Sequence, residues 1–443
     1  MQKALIIGAG LSGKSVNKLL KKLGIKTYIV DDKKKIRFKP LKDRLLSGLS
    51  FVIVSPGVDP CHYLVQEAKN MGIAVYGELD FASKFLCSQI VAITGTNGKT
   101  TTTTLVYEIL KRVFSCFVGG NIGIPVSSFC LKEHGVSVLE TSSFQLENIS
   151  TFKPSIACLL NITPDHLNRH KTMRNYINAK LNIFKNMDEK GFACLNKDDR
   201  LVNGLDLSFI KAKTYFFSTK VECIGCYVKK GCIYFNNGIE KQKLFNVDLI
   251  PLLGEHNLSN VLCACLVACL LGVEPSLISM AIQNFKGVSH RLEYVCSING
   301  VAFINDSKAT NISSTIVAVK AMNKPTTLIL GGSDKGFDFD LLFESMTDQI
   351  KNFVVVGQTT QKIVSSAIKY KMSNVFEAKS FKEAVKLAYN LAGEGENVLL
   401  SPACASFDMF SSFEERGRVF VSLVREIEKY ENSKISNKKK GKV

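Results

Sequence analysis

Residues 90–110 read "IVAITGTNGKTTTTTLVYEIL". An apolar run ends in a glycine turn that opens into a stretch with helical spacing, the strand–loop–helix context of a phosphate-binding loop. Gly95, Asn97 and Gly98 let the backbone curl so that its N–H groups face phosphate oxygens. Lys99 sets a cation near the β- and γ-phosphates, and the Thr100 hydroxyl can ligate magnesium. The usual Gly-x-x-x-x-Gly-Lys-Thr pattern would need glycine at 93, where Ile93 stands. The loop is therefore shortened to Gly95-Thr96-Asn97-Gly98-Lys99-Thr100, followed by Thr101. It predicts an ATP site.

On both sides of this loop the chain alternates short apolar runs with helical stretches, the rhythm of parallel sheets with crossover helices. One series, "KALIIGAG", "KTYIVDD", "SFVIVSPG" and "IAVYGE", occupies residues 1–87. A second starts at "SQIVAITG" and closes after the apolar helix "VLCACLVACLLGV" near residue 287. A third runs from "VAFINDSKATN" to "NVLLSPACAS". The expected fold is α/β in three domains, 1–87, 88–287 and 288–443: Rossmann-like, P-loop ATPase-like and Rossmann-like.

Composition bounds the rest. Hydrophobic residues make up 46% of the 443 and charged ones 22%, enough apolar content for a core in every segment. The thirteen residues of 261–273 are too few to span a bilayer. The amino terminus runs from "MQKALII" straight into a glycine turn, without the h-region of an export signal. A cytoplasmic protein without membrane attachment is expected. The fourteen cysteines lie mostly in apolar runs, the usage of reduced, core-filling thiols. Cys223-x-x-Cys226, with Cys232 following, lacks the second pair or histidine that zinc spacing needs. The net charge of +18 suits a ligand with several phosphates and also nucleic acid, but no nucleic-acid motif or aromatic-interleaved basic stripe accompanies it. Five lysines in "KISNKKKGKV" read as a disordered basic tail.

Further motifs stand at strand ends. Gly8-Ala9-Gly10-Leu11-Ser12-Gly13 follows the first strand and opens a helix, and Asp31 and Asp32 end the next strand at the spacing of a ribose contact. Ser55-Pro56-Gly57 ends the third. Glu140, closing "VSVLE", reads as a second magnesium carboxylate or as a helix-capping acid. His166 in "NITPDHLNRH" reads by itself as structural. Lys180, with Tyr176 and Phe184 four residues to either side, reads by itself as a snorkelling lysine on a partly apolar face. Asn257 and Asn260 carry amides suited to an adenine or ribose edge. Arg291 and Lys308 can reach across an interdomain cleft toward phosphate, and Asp306 can cap the helix near Asn311 or join a magnesium shell.

Taken in order, GTNGKTT, ETSSFQLE, NITPDHL, YxxAK, GxHNxxN, HRLE and NDSKATN resemble the Mur ligases, the ATP-dependent amide-forming enzymes of peptidoglycan synthesis. The resemblance covers the chain apart from the lysine tail. "GAGLSG" and "LSPACASFDMFSSFEERG" look like the branch that adds D-glutamate to UDP-N-acetylmuramoyl-L-alanine. It implies that the first domain holds the UDP substrate through Leu11, Ser12, Asp31, Asp32 and Gly57, with Asn121 on the sugar-peptide part. Lys99 and Thr100 then match the ATP loop, and Asn257, Arg291 and Asp306 match nucleotide contacts. Thr100, Glu140, His166 and a carbamylated Lys180 would hold magnesium, with Lys99, Glu140, His166 and Lys180 the catalytic set. Thr310, Lys335, Ser406 and Phe413 match a D-glutamate pocket in the third domain. A monomer working without nucleic acid is expected. Two features depart from the family's pattern: Asp31-Asp32 is followed by Lys33, and 205–250 matches no part of it. A folylpolyglutamate-type ligase would leave the GAGLSG segment unexplained, and a dehydrogenase would leave the P-loop unexplained. A nucleic-acid-stimulated ATPase would rest on charge alone.

Overall fold

The computed structural model describes residues 2–32, 46, 48–252, 254–334 and 336–440. The chain gathers into two units, one of Met1–Pro251 with Asn257–Phe285 and one of Leu252–His256 with Lys286–Val443. The first unit carries two sheets, the second one.

In the first sheet, β1 (Lys3–Ile7), β2 (Lys26–Val30), β3 (Phe51–Val54) and β4 (Ala74–Gly77) run parallel in the order β2-β1-β3-β4. The helix Leu11–Lys22 buries Val16, Leu19 and Leu20, a spacing that lines one helical face.

The second sheet has nine strands. The P-loop strand β5 (Cys87–Thr94) lies between β7 (Glu133–Glu140) and β8 (Ile156–Leu159), with β6 (Cys116–Gly120) at one edge and β9 (Phe192–Asn196) beyond β8. The helix Glu255–Leu270 buries every residue from Val261 to Ala268, which is why its sequence shows no polar face. All fourteen cysteines are free thiols.

The stretch 205–250 extends this sheet. β10 (Lys213–Ser218) and β11 (Gly225–Lys229) continue the parallel order, and β12 (Cys232–Asn236) and β13 (Lys241–Asn246) close it as an antiparallel meander. A parallel pair ordinarily needs a crossover of about a dozen residues, yet residues 219–224 alone join β10 to β11. Gly225 makes this possible: its φ is 128°, and a Cβ there would lie 1.9 Å from the Phe216 carbonyl oxygen. Cys223 and Cys226 flank that glycine, and Cys223 Sγ contacts the carbonyls of Phe216 and Cys226.

Two carboxylates tie the first sheet to the second. Asp80 accepts five hydrogen bonds, from the backbone N–H of Ser150, Thr151 and Phe152 and from the Ser150 and Thr151 hydroxyls. Glu78 Oε1 accepts the Ser127 N–H at 2.8 Å and hydroxyl at 2.7 Å, and burial pushes its carboxyl above the usual range. Asp80→Ala strips the acceptor from the buried Phe152 N–H and from four part-buried donors, so a loss on the order of 1–3 kcal/mol is expected. A thermal midpoint equal to that of the unaltered protein would disprove the clamp.

In the second unit, β14 (Glu293–Ile298) and β15 (Val301–Asn305) form a hairpin over Asn299-Gly300. The remaining strands run parallel: β16 (Thr326–Leu330), β17 (Ile350–Val355), β18 (Val375–Glu377) and β19 (Asn397–Leu400). The order β14-β15-β19-β16-β17-β18 places the last strand between β15 and β16, so strand order reverses there. Ligands of open α/β sheets collect at such a point. The helix Phe413–Lys440 takes in the lysine run as far as Lys440. Elongating an existing helix avoids the cost of nucleation, and cations suit its C-terminal end.

Candidate active site

Ile93 is a buried strand residue, paired with Glu140 on β7 and with Cys158 on β8. A longer phosphate loop would take its first glycine from that position; here the strand continues and the turn begins two residues later. Gly98 is the N-cap of the helix Lys99–Leu110 at φ 82°, and a Cβ there would lie 2.3 Å from Asn260 Oδ1. The loop is braced from beneath. Asn161 accepts the Thr96 and Asn97 N–H groups and donates to the Asn97 carbonyl. Those two N–H groups brace the loop. The helix Lys99–Leu110 begins directly after the loop, and a helix N-terminus favours an anion.

Two amines converge on this loop. Lys99 Nζ donates to the carbonyls of Gly95 at 2.9 Å and Thr96 at 2.8 Å, and Lys180 Nζ donates to the same Gly95 carbonyl at 2.7 Å. Lys180 is 1% exposed, so it does not snorkel. Burial, reinforced by the Lys99 charge, pushes its amine well below the usual lysine range. Tyr176 holds the other side, its ring 4.6 Å from Lys180 Nζ and its hydroxyl 3.0 Å from Thr96 Oγ1.

Glu140 ends β7 beside the loop strand. It is not a helix cap, because Ser142 and Gln145 form a capping box on the next helix. Asn121 Nδ2 donates to Glu140 Oε1 at 2.8 Å, and Oε2 is buried with no hydrogen-bond partner. A buried, half-satisfied carboxylate beside a phosphate loop fits a divalent cation. His166 follows β8 in a left-handed conformation, φ 52°, half-exposed and 3.5 Å from Asp165. Among the described residues no three His, Cys, Asp or Glu side chains gather as a ready metal centre. The expected set, Thr100, Glu140, His166 and Lys180, contains only two such side chains and needs a carbamate to supply a second acidic group beside Glu140. Asn257 lies next to the loop helix through Asn260, which donates to its Oδ1 at 3.2 Å and accepts from Thr102.

At the first sheet, Leu11, Ser12, Asp31, Asp32 and Gly57 lie at the carboxyl ends of neighbouring strands. In the second unit, Asp306, just past β15, accepts the Ser401 hydroxyl at 2.8 Å and the Leu292 N–H at 3.2 Å. It caps no helix; Asn311 does, accepting the Ser314 N–H at 2.8 Å. Ser406 is buried and Phe413 opens the last helix, its ring 5.8 Å from Lys308 Nζ. Thr310 follows the turn at Lys308. Lys335 lies outside the described residues.

Burial raises the Asp306 carboxyl to about 7, against the Ser401 hydroxyl and the Arg291 charge. In the unfolded chain it ionises near ~3.9, so between those values the folded state holds the extra proton. Its contribution to stability is complete below about pH 4 and is lost as pH rises through about 7. Asp306→Asn cannot ionise, so its melting temperature is expected to gain on the unaltered protein from about pH 4 to about pH 7 and to level off above that. A difference independent of pH would contradict the burial argument.

A family model for the Mur ligase middle domain matches residues 93–268, and one for the Mur ligase glutamate ligase domain matches residues 290–404. The UDP-N-acetylmuramoylalanine–D-glutamate ligase of Caldanaerobacter subterraneus subsp. tengcongensis is 41% identical over 449 residues, spanning 96% of this chain and 98% of its own. The same-named enzyme of Thermoanaerobacter pseudethanolicus is 42% identical over 448 residues, with the same coverage. The chain belongs to the Mur ligase family.

Mur ligases are ATP-dependent and amide-forming, and this chain is an enzyme of that class. Its fold is like that of the UDP-N-acetylmuramate–alanine ligase of Thermotoga maritima (TM-score 0.62, 19% identity, covering 96% of this chain and 100% of that one). It is also like that of the Thermotoga maritima MurF ligase in complex with ADP (TM-score 0.57, 18% identity, 87% and 90% covered). Within this Mur ligase, the motif reading missed side chains that only the fold brings in. Arg169 pairs with Glu147 through two nitrogens, lies 4.3 Å over the Phe144 ring and donates to the Pro56 carbonyl at 3.0 Å. Arg416, 1% exposed, donates to the carbonyls of Ser307, Cys404 and Ala405. Both lie in quoted motifs, but nothing in their spacing distinguishes them from surface arginines.

Proposed function

We propose that this Mur ligase joins D-glutamate to the alanyl carboxylate of UDP-N-acetylmuramoyl-L-alanine at the expense of ATP. The observation that carries the reading is the pair of amines on the Gly95 carbonyl beside the half-satisfied Glu140, a site for charged phosphate chemistry next to a carboxylate substrate. The names of its relatives support the choice of substrates. Residues 1–87 take the UDP part through Leu11, Ser12, Asp31, Asp32 and Gly57, residues 88–287 take ATP, and residues 288–443 take D-glutamate through Thr310, Lys335, Ser406 and Phe413. The protein acts as a cytoplasmic monomer without nucleic acid. No helix among the described residues is long and apolar enough to cross a membrane.

A carboxylate is a poor electrophile. Its oxygen attacks the γ-phosphorus of ATP in line, the bond to the β-phosphate oxygen breaks, and an acyl phosphate and ADP result. The D-glutamate amine then attacks the acyl carbon, and the tetrahedral intermediate expels phosphate to leave the amide. Lys99 and the N–H groups of its helix offset charge on the phosphates. Thr100, Glu140, His166 and Lys180, carried as a carbamate, would hold magnesium, which supplies Lewis-acid stabilisation of phosphoryl oxygens when bound. Asn121 keeps one Glu140 oxygen turned away, leaving the other for the metal.

The test is incubation with UDP-N-acetylmuramoyl-L-alanine, ATP, magnesium and single amino acids. One amide and one ADP per D-glutamate consumed are expected. Amide formation with another amino acid in preference would overturn the reading in favour of a sibling ligase.

A further inference from the structure

Two adjacent carboxylates end β2, and their surroundings differ. Asp31 Oδ2 accepts the Ala9 N–H at 2.6 Å, bracing the glycine turn after β1. The Asp32 side chain is 58% exposed, and its Oδ2 lies 3.0 Å from Nε2 of His62, itself 13% exposed. His62 belongs to the connection after β3, two strands away in the sheet, and nothing in its sequence neighbourhood marks it as part of a site. Its Nδ1 accepts the Leu64 N–H at 3.3 Å, capping the helix Tyr63–Asn70. A ring nitrogen that accepts carries no proton, so the proton of the neutral imidazole sits on Nε2 and is donated to Asp32. The ring is held further by stacking on Tyr63, 4.8 Å between centroids. The connection from β3 thus reaches past β1 to hold a carboxylate at the carboxyl edge of the sheet, next to the aspartate that braces the glycine turn.

We propose that His62 is the positioning residue that holds Asp32 in place for the nucleoside of the UDP-linked substrate. This rests on the reading of a UDP-linked substrate above. A fixed acceptor at the end of the second strand takes a hydrogen bond from a ribose hydroxyl or from the pyrimidine imide N–H. Holding it in place beforehand lowers the entropy lost on binding.

The test combines calorimetry of UDP binding with steady-state kinetics. His62→Ala and Asp32→Asn are each expected to weaken UDP binding, and to raise KM for UDP-N-acetylmuramoyl-L-alanine, about tenfold. kcat should stay within about twofold and KM for ATP should not move. His62→Gln keeps an N–H donor and should recover most of the affinity. The double variant should be no worse than Asp32→Asn alone, because the histidine acts through the aspartate. With 2′-deoxy-UDP the Asp32→Asn penalty disappears if a ribose hydroxyl is read and persists if the base is. Affinity for UDP unchanged in Asp32→Asn and His62→Ala, or fully additive effects, would overturn the assignment. Should loss of the cap unfold His62→Ala, the exposed Asp32→Asn and the His62→Gln variant decide. Protein that binds UDP but makes no amide would sink the proposed activity and leave this assignment standing.

Discussion

Lys99→Ala is expected to lower ADP formation on the order of 10³-fold or more while the protein stays folded. The amine is already placed: carbonyls of Gly95 and Thr96 hold it within 2.9 Å, at the start of the helix Lys99–Leu110. A cation fixed in advance stabilises charge that moves between phosphate oxygens without reorganising during the step, which is where such interactions are worth most. Removing it takes away transition-state stabilisation that solvent cannot replace in a buried loop. The loop itself should survive, because Asn161 and Tyr176 brace it independently of Lys99. The measurement is single-turnover ADP release, with the melting temperature as control. Release at the unaltered rate would reject the role given to the loop, and loss of rate with loss of fold would leave Lys99→Met, which keeps the stem, to decide.

What the chain discloses before folding is what its local chemistry fixes. The phosphate loop is legible because its glycines, lysine and threonine act within six consecutive residues, at a strand end recognisable from its apolar run. The alternation of strand and helix is legible for the same reason. Glu140 was ambiguous, since capping acid and metal ligand look alike until β7 is laid against β5 and one oxygen is left buried without a partner. Lys180 was misread on residues alone, because an apolar helical face suits both a snorkelling lysine and a buried one; the Gly95 carbonyl 85 residues away decides. The 205–250 stretch carried no pattern because its connection breaks the usual crossover length, a departure that one glycine permits. The tail is read from composition alone, a lysine run that signals disorder in isolation, whereas the helix before it packs through Phe420, Leu423, Val424 and Ile427. His62 and Arg416 act across distances in sequence that no local spacing encodes.

Lys180→Met is expected to retain the fold, and to lose ligase activity on the order of 10²-fold or more. Burial and the neighbouring Lys99 push the Lys180 amine well below the usual lysine range, so its neutral, nucleophilic form is reached at lower pH than an ordinary lysine's. Its nitrogen can then add to carbon dioxide, releasing one proton and leaving a carbamate. The group at that position changes from a neutral amine to an anion, whose oxygens can serve as ligands to a divalent cation. Stability gives an independent check. A lysine whose amine is depressed in the folded state is protonated more in the unfolded chain, so the unaltered protein gains stability as pH rises toward the ordinary lysine value. Lys180→Met removes that dependence and should melt no lower than the unaltered protein at neutral pH. Added acetate or formate should restore part of the activity in Lys180→Ala, where the missing side chain leaves room for a carboxylate. Full activity in either variant would show that the amine needs no acidic successor, and failure of every carboxylate to rescue the smaller variant would mean that the lysine serves the loop through its hydrogen bond to Gly95 instead.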